Sequence, residues 1–256
     1  ALLPAKAFIN KKRNIMKTMT FRQPVLAATA LLMSFTTFAQ EENKFEIAPA
    51  ADLVSSYVWR GVYQTGPSVQ PSIALSYAGL SLTAWGSTDF SSMSDPNKGK
   101  EFDLTVGYGI GGFSIGVTDY WWAGEGKRYG NYSNSHFFEG AVGYNFGESF
   151  PLGITWSTMF AGGDKDADGD QQFSTYVEAA YTFSVLGVDV TPGIGVSPWT
   201  GMYHKEGKDG FALCSIALRA SREIKITDSF SLPVFAQCIV APNQDNVFLV
   251  FGLSIK

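Results

Sequence analysis

Eight ionisable side chains lie on the polar side of segments whose other side is apolar. In residues 101–110, for example, Glu101 and Asp103 alternate with Phe102 and Leu104. The set comprises six acids and two arginines: Asp52, Arg60, Glu101, Asp103, Glu139, Glu178, Asp189 and Arg219. Enclosed charges need partners or water. In an open channel the excess of acids would favour cations. If the charges instead paired with one another, they would form a salt-bridged plug that conducts nothing.

A run of aspartates resembles the first half of a calcium-binding loop. Its members, spaced as D-x-D-x-D-G, are Asp164, Asp166, Asp168 and, one residue after the glycine, Asp170. The twelfth position of such a loop needs a bidentate glutamate, and here it is Thr175. The segment predicts either a weak calcium site or a solvated acidic loop.

Catalytic signals are weak. His136 and His204 are the only histidines, and no serine and acid accompany either at the spacing of a catalytic triad. The sequence GYGIGG at 107–112 matches a dinucleotide-binding pattern, but it joins two predicted strands and precedes no helix. We therefore expect no enzyme and, apart from the calcium candidate, no cofactor.

The two cysteines, Cys214 and Cys238, lie on neighbouring predicted strands at equal distances from a turn near residue 226. The period-two alternation places both of them on the apolar face of their strands, which would make them direct cross-strand neighbours. A disulfide could form in an oxidising compartment. Adjacent-strand pairs rarely reach disulfide geometry, so the sequence favours two small side chains on an apolar outer surface.

The elements that carry these residues are predicted strands. Hydrophobic residues make up 45% of the chain, charged residues only 16%, and the mean hydropathy is +0.03. These values exclude a disordered chain, a charged coiled coil and a bundle of transmembrane helices. Period-two alternation recurs in twelve runs, at about 45–60, 68–78, 80–90, 101–110, 112–122, 135–146, 152–161, 171–184, 187–197, 209–222, 229–240 and 245–254.

The connections between these runs mostly alternate between short turns and long polar loops. An outer-membrane barrel has short turns at one end and long loops at the other, which produces this alternation. A secreted β-sandwich, the alternative fold, has no such regular alternation of loop lengths. Aromatic residues cluster at both ends of the runs, which favours two interfacial belts over a soluble core. The long-loop cluster comprises Tyr57, Trp59, Phe90, Tyr120, Trp121, Trp122, Phe160 and Trp199, and the short-turn cluster comprises Tyr77, Tyr108, Tyr144, Phe146 and Phe183. Trp85, Phe137, Tyr176 and Phe235 are expected to point inward, where they could close the lumen.

Residues 16–39 have the pattern of an export signal, and residues 1–15 precede it. Residues 16–39 contain a basic start, an apolar core at 25–35 and a small-x-small cleavage site at 37–39. The alternative is a transmembrane anchor, but the apolar run is short. Residues 1–15 are expected to be an upstream extension outside the native protein. Residues 1–39 hold six basic residues and no acid, so the remaining chain is strongly acidic and a poor partner for nucleic acid.

Two segments near the start of the predicted barrel carry a family resemblance. Residues 52–65 (DLVSSYVWRGVYQT) and 71–87 (PSIALSYAGLSLTAWGS) resemble the N-terminal signature of the TorF-like porin family of Gram-negative outer-membrane proteins. The resemblance covers about 40 residues, and it implies a barrel in the outer membrane more firmly than any substrate. One departure concerns the assembly signal, because such barrels usually end in an aromatic residue and here Phe251 is followed by five others.

Together these patterns predict an all-β fold, a transmembrane antiparallel up-and-down β-barrel of about 12 strands within residues 40–256. We expect it in the outer membrane of a Gram-negative bacterium, in contact with outer-membrane lipid and with the outer-membrane assembly machinery. The expected function is passive diffusion of small polar solutes or ions, with a preference for cations. The alternatives are a closed structural or adhesive barrel that acts through its extracellular loops, and a barrel enzyme.

Overall fold

The computed structural model describes residues 44–255 except 134 and 229. The upstream extension and the predicted signal segment lie outside these described residues. The strands are β1 (Glu46–Val54), β2 (Tyr57–Trp59), β3 (Val62–Thr65), β4 (Ser68–Tyr77), β5 (Leu80–Asp89), β6 (Lys100–Ile110), β7 (Phe113–Trp122), β8 (His136–Asn145), β9 (Leu152–Gly162), β10 (Thr175–Tyr181), β11 (Phe183–Val185), β12 (Val188–Ser197), β13 (Ala212–Lys225), β14 (Ser231–Ala241) and β15 (Asn246–Ile255). Two 3₁₀ turns follow β5 and β14, at Phe90–Ser92 and Pro242–Gln244.

No helix among the described residues is long and apolar enough to span a membrane.

The described strands form a closed antiparallel barrel with twelve positions in its wall. Each wall strand pairs with its neighbours along the chain, and β1 pairs with β15 to close the ring. The broken strand β10–β11 occupies one position between β9 and β12. Strands β2 and β3 pair only with each other and take no part in the wall. The predicted all-β, up-and-down barrel of about 12 strands is therefore confirmed.

Side chains alternate between the two faces of the wall, as the sequence pattern predicts. On β6, Glu101, Asp103 and Thr105 are buried, whereas Val106 and Ile110 are more than half exposed on the outside. Thr105 lies opposite Thr118 of β7, and their hydroxyls share a hydrogen bond of 2.9 Å across the inner face. The outer surface is therefore apolar and the inner surface polar.

The two rims of the barrel differ. Short turns at 78–79, 111–112 and 186–187 join strands at one rim, and longer loops at 90–99, 123–135, 163–174 and 198–211 lie at the other. At the first of these turns Ala78 and Gly79 both have positive φ, 50° and 85°, which is the conformation of a tight hairpin turn. The chain enters and leaves the barrel at the short-turn rim, because β1 begins and β15 ends there.

The expected first run, 45–60, is wrong in its second half. The wall strand β1 ends at Val54, where the amide of Ser55 donates to the carbonyl of Phe251 and its hydroxyl accepts from the Phe251 amide. The chain then turns inward as the hairpin β2–β3. Tyr57 and Trp59 continue the period-two pattern inside this hairpin, so alternation alone could not show where the wall ends.

Candidate functional site

A hairpin fills the long-loop half of the barrel interior. This segment, residues 57–65, is called the plug hairpin, and its turn is formed by Arg60 and Gly61, both with positive φ. Gly61 has φ +82°, and a Cβ built on it would lie 2.1 Å from the carbonyl oxygen of Cys214 on β13. Only a glycine therefore lets the tip of the hairpin approach this wall so closely.

Arg60 fastens the plug hairpin to the barrel. Its guanidinium donates two hydrogen bonds to the Glu139 carboxylate, including Nη2 to Oε1 at 2.8 Å, and a further one to the Tyr203 hydroxyl. The Tyr120 hydroxyl donates to the same carboxylate at 3.0 Å. Arg60 and Glu139 are 5% and 2% exposed, so this is a buried, bidentate ion pair. It joins the hairpin to β8 and to the loop 198–211.

Aromatic rings surround this ion pair. The ring of Trp59 lies 5.5 Å from Tyr120, 5.8 Å from Trp122 and 5.5 Å from Tyr203, measured between centroids. The Arg60 guanidinium also lies 4.5 Å from the Trp59 ring centroid, within the range of a cation–π contact. The expected interfacial belt is therefore wrong for Tyr57, Trp59 and Tyr120, which are buried in this cluster, whereas Phe90, Phe160 and Trp199 are exposed.

The inward aromatic residues predicted to close the lumen do face it. Tyr176 belongs to the cluster around Arg60, and Trp85 and Phe137 pack against that cluster. Phe235 belongs to a second cluster with Val54, Val58 and Ile239. The long-loop half of the interior is thus packed by side chains from the hairpin and from several wall strands.

The second inward arginine packs against the second cluster, which includes Val58 of the plug hairpin. Arg219 on β13 stacks on the Phe235 ring, with its Cζ 3.5 Å from the ring centroid, and its charge interacts with Asp52 on β1. Asp189 accepts a hydrogen bond from the Ser184 hydroxyl close to the short-turn rim. The two arginines therefore have different surroundings, because Arg60 pairs with Glu139 inside the plug cluster and Arg219 interacts with Asp52.

Glu178 faces the lumen from β10. The Tyr176 hydroxyl donates to its Oε2 at 3.0 Å and also lies 2.8 Å from the Ser215 hydroxyl. Gly195 lies opposite Glu178, and the Tyr176 side chain fills the space over it. Nearer the short-turn rim, Gly107 and Gly116 oppose each other on β6 and β7.

A cavity with both polar and aromatic side chains in its lining lies beside the plug hairpin at the long-loop rim. Its volume is about 200 Å³, and its lining consists of Tyr57, Gln64, Thr65, Ser87, Gly99, Lys100, Glu101, Trp122 and Ala123. The Tyr57 hydroxyl lies 3.4 Å from Oε1 of Glu101. The ammonium of Lys100 is held by the backbone carbonyls of residues 92, 95 and 98 instead of by a carboxylate.

Asp103 is the next inward residue below Glu101. It is fully buried, and neither of its carboxylate oxygens accepts a hydrogen bond from the described residues. The described residues also place no basic nitrogen within 4 Å of either Glu101 or Asp103. Such a pair of buried acids requires a proton, water or a cation.

The loop 198–211 covers the plug hairpin from the long-loop rim. Tyr203 reaches inward to Arg60, while its backbone carbonyl accepts from the side chains of Asn243 (2.8 Å) and Gln244 (3.0 Å). Asp245 accepts from the ammonium groups of Lys208 and Lys205 at 3.0 and 3.1 Å. These hydrogen bonds, those of Lys208 first, hold the pKa of Asp245 below its ordinary value.

The aspartate run at 164–170 is used to shape its own loop. Asp164 is buried and accepts hydrogen bonds from the Ser174 amide at 2.9 Å, the Ser174 hydroxyl and the Gln171 side chain. Asp166 accepts from the amides of Asp168 and Asp170 at 3.0 and 2.8 Å. Over the described part of the chain, no group of three or more His, Cys, Asp or Glu side chains is arranged to hold a metal ion. The calcium prediction is not supported by this geometry.

Both histidines shape loops. In His136, Nδ1 lies 2.7 Å from the Asp119 carboxylate and Nε2 faces the Tyr129 carbonyl. In His204, Nδ1 accepts from the Gly201 amide and Nε2 lies 2.9 Å from the Gly210 carbonyl. All four ring nitrogens thus contact backbone or a carboxylate rather than a serine hydroxyl.

Both cysteines are free, as the sequence favours, but they are not direct cross-strand neighbours, and the expected outward position is wrong for Cys214. The register between β12 and β13 shifts beside Cys214, so that this residue turns into the lumen cluster with its neighbour Ser215. Cys238 on β14 lies opposite Leu218 and has a free thiol, as does Cys214. A β-bulge reverses the faces of the residues beyond it, and the sequence pattern carries no signal for this one.

Comparison of the chain with models of known protein families finds no match, and no curated protein matches it either.

Proposed function

We propose that the protein is an outer-membrane β-barrel that passes small cations by diffusion and is narrowed at its long-loop end by the plug hairpin. The proposal includes membership of the TorF-like porin family, location in the outer membrane, assembly by the outer-membrane machinery and the absence of catalysis. The proposal rests on the closed barrel, which is confirmed. Its up-and-down topology and its unequal rims fit this type of protein.

The apolar outer surface supports a lipid environment. Leu218, Leu249 and Phe251 are each more than half exposed on the outside of the wall. Large apolar surfaces of this kind are rare on soluble proteins and are stabilised when lipid covers them.

The balance of charge inside the barrel is the observation that carries the cation preference. Arg60 is neutralised by Glu139, and Arg219 interacts with Asp52. Glu101, Asp103 and Glu178 then remain as inward carboxylates that lack an ion-pair partner among the described residues. A lumen with this excess of negative charge attracts cations and repels anions.

A closed structural barrel is the second candidate, and a specific observation favours it. The Arg60–Glu139 pair and its surrounding rings fill the interior at the level of the plug hairpin. A barrel held in this state would act through its outer loops.

Planar-bilayer recording in a KCl gradient separates the two functions. The folded wild-type protein is expected to give small discrete conductance steps with a cation-selective reversal potential. A variant whose residues 57–65 are replaced by a Gly-Ser linker is expected to give larger steps, because the plug is gone. Silence from both proteins, each shown to be folded by heat-modifiable gel mobility, would reject the channel and leave the closed barrel.

A further inference from the structure

We infer that the cavity beside the plug hairpin binds a neutral, hydroxyl-rich solute the size of a single pyranose ring, with Gln64, Ser87 and Glu101 as its hydrogen-bonding groups. The inference goes beyond the proposed channel, because a site at the long-loop rim can serve an open barrel or a closed one. Binding to this site can be measured without any current.

The lining of the cavity runs from half-buried side chains to buried ones. Gln64 and Lys100 are half-buried, whereas Tyr57, Ser87 and Glu101 are only 7%, 4% and 6% exposed. The volume of about 200 Å³ equals that of roughly six or seven molecules of liquid water. This is room for one small ring rather than for an oligomer. A solute that enters from the long-loop rim therefore reaches a buried polar floor.

The lining carries one basic and one acidic side chain, those of Lys100 and Glu101. The Lys100 ammonium is bonded to the backbone carbonyls of residues 92, 95 and 98. Because the two charges balance, the lining selects neither a cation nor an anion by its net charge. A neutral solute suits this balance.

The hydrogen bonds that the lining makes within the protein are mostly long. The Gln64 amide lies 3.4 Å from a carbonyl of its own hairpin, and the Ser87 hydroxyl lies 3.5 Å from the Gln70 amide. The Tyr57 hydroxyl lies 3.4 Å from Oε1 of Glu101. Strong hydrogen bonds of these kinds are shorter than about 3.2 Å. These groups therefore retain hydrogen-bonding capacity for a ligand.

The polar groups of the lining include both donors and acceptors. The amide of Gln64 and the hydroxyl of Ser87 each donate and accept, whereas the carboxylate of Glu101 only accepts. A sugar hydroxyl also donates and accepts, so it can pair with all three. An ammonium ion offers only donors, and a carboxylate ion only acceptors. The mixed lining therefore favours several hydroxyls on one ligand over a single charged group.

Two aromatic rings add apolar surface to the lining. Trp122 stacks on Tyr120 with a centroid distance of 5.3 Å and an interplanar angle of 4°, and Tyr57 lies 5.6 Å from Trp85. Both rings are therefore held in place before a ligand binds. A pyranose has C–H bonds on its faces and hydroxyls around its edge, which suits a cavity that combines rings with polar groups.

Ligand-observed NMR tests this site. The folded protein in an amine-oxide detergent, which has no sugar headgroup, is titrated separately with methyl β-D-glucopyranoside, methyl β-D-galactopyranoside and methyl α-D-mannopyranoside, and saturation transfer to the sugar protons is recorded. We expect saturable binding of at least one of the three, which neither ethylammonium chloride nor sodium acetate at equal concentration displaces. No saturable binding of any of them, or equal displacement by either salt, would overturn the inference.

Variants locate the binding. Glu101→Gln is expected to weaken it about tenfold, because a charge-assisted acceptor is lost, and Gln64→Ala about threefold, because a neutral hydrogen-bonding group is lost. Glu206→Gln and Gln172→Ala are the matched controls, since they make the same kinds of change in loops outside the lining. Equal losses in the control variants would reject the site.

A filling variant tests the space itself. Ala123→Trp keeps every polar side chain of the lining but occupies the cavity, and it is expected to abolish binding. Heat-modifiable gel mobility shows that the variant is folded. Unchanged binding in folded Ala123→Trp, or in folded Glu101→Gln, would reject this site.

The outcomes for binding and for conduction are distinguishable. Saturable sugar binding by a barrel that stays silent in the bilayer would reject the channel and keep the site. Conduction without saturable binding of any of the three glycosides would keep the channel and reject the site.

Discussion

At the scale of single residues, Arg60 and Glu139 show how a buried ion pair is tolerated. Each charge is neutralised by the other, and Tyr120 and Tyr203 occupy further hydrogen-bonding positions. Such pairs often add little net stability compared with apolar substitutes. Removing only one partner is strongly destabilising, because the other charge is then buried without a counterion. Their effect here is to fix where the plug hairpin sits.

Arg60→Ala is expected to destabilise the folded barrel by about 3–5 kcal/mol, because it leaves the Glu139 carboxylate buried without a partner. The free energy of unfolding, measured by urea titration in detergent, checks this value. Arg222→Ala, which removes an exposed arginine from β13, serves as the control and should cost little. Adding Glu139→Gln to Arg60→Ala should recover part of the loss, and failure to do so would contradict the assigned pairing.

Gly61→Ala is expected to unseat the tip of the plug hairpin. Its new Cβ would meet the Cys214 carbonyl at 2.1 Å, whereas Gly111, also at positive φ, has nothing within 4 Å of the corresponding position. Both substitutions to alanine carry the cost of a left-handed backbone, which Gly111→Ala measures alone. The difference in unfolding free energy between the two variants therefore gives the steric cost at Gly61, about 1–3 kcal/mol for overpacking. Limited proteolysis within 57–65 and urea unfolding would show whether the two variants differ; equal behaviour would contradict this packing.

The sequence predicts the faces of most residues but not those next to an irregularity. Alternation places Glu101 and Asp103 inside, and the structure agrees, because β6 pairs with β5 and β7 without a shift in register. Glu139 also lies inside as predicted, because the extra residue of the register shift beside it belongs to the partner strand β9. Cys214 differs, since a shift in register turns it inward. A bulge is set by packing against the plug hairpin and the neighbouring strand, and this packing leaves no trace in a period-two pattern.

At the scale of elements, the loop 198–211 and the turn 242–245 act together as a cover over the plug hairpin. Tyr203 contacts Arg60 with its hydroxyl and the turn with its carbonyl. Sequence reasoning missed this role, because a tyrosine in a polar loop has no signal that marks it as buried. The lengths of the loops can be predicted from the sequence, whereas the long-range contacts that hold this loop inside the barrel cannot.

The cover is expected to loosen as the pH falls. Lys208 and Lys205 lower the pKa of Asp245, so its contribution to stability is fully present above the ordinary value of about 3.9 and is lost as the pH falls through the lowered value. Asp245→Asn should therefore weaken the cover at pH 7 and match the wild type at the acidic end. Proteolysis of the loop 198–211 across this pH range, at low salt to limit screening, measures the difference. A constant difference at all pH values would contradict the role of the carboxylate.

The sequence of the plug hairpin carries a turn signal, but its alternation also looks like a continuation of β1. A glycine follows Arg60, and alternating aromatic residues flank it, which is typical of a hairpin turn. The same residues also extend the pattern of β1 without a gap. Residues 57–65 could either pair in the wall as an extension of β1 or be buried in the lumen as a hairpin. Which state is more stable depends on contacts with strands that are distant in the sequence.

At the scale of the whole molecule, the apolar exterior sets the environment in which the barrel is stable. Leu218, at the centre of β13, is 53% exposed on the outside. In a bilayer, Leu218→Arg is expected to cost about 2–4 kcal/mol of folding free energy, the value for an arginine near the membrane midplane.

Refolding into lipid vesicles at graded urea concentrations measures this cost. Glu206→Arg, in an exposed part of the loop 198–211, is the control and should change stability little. A soluble, detergent-free Leu218→Arg protein with undiminished stability would contradict a membrane location.

The cluster of rings around Trp59 gives the molecule an optical property. Three other aromatic rings lie within 6 Å of this side chain, and they come from β7 and the loop 198–211 rather than from the hairpin itself. Fixed asymmetric packing of this kind produces near-ultraviolet circular dichroism, which disappears when the packing loosens while the strands persist. Trp59 therefore acts as a built-in chromophore for the position of the hairpin, and its signal can be followed in unlabelled protein while the barrel wall remains intact.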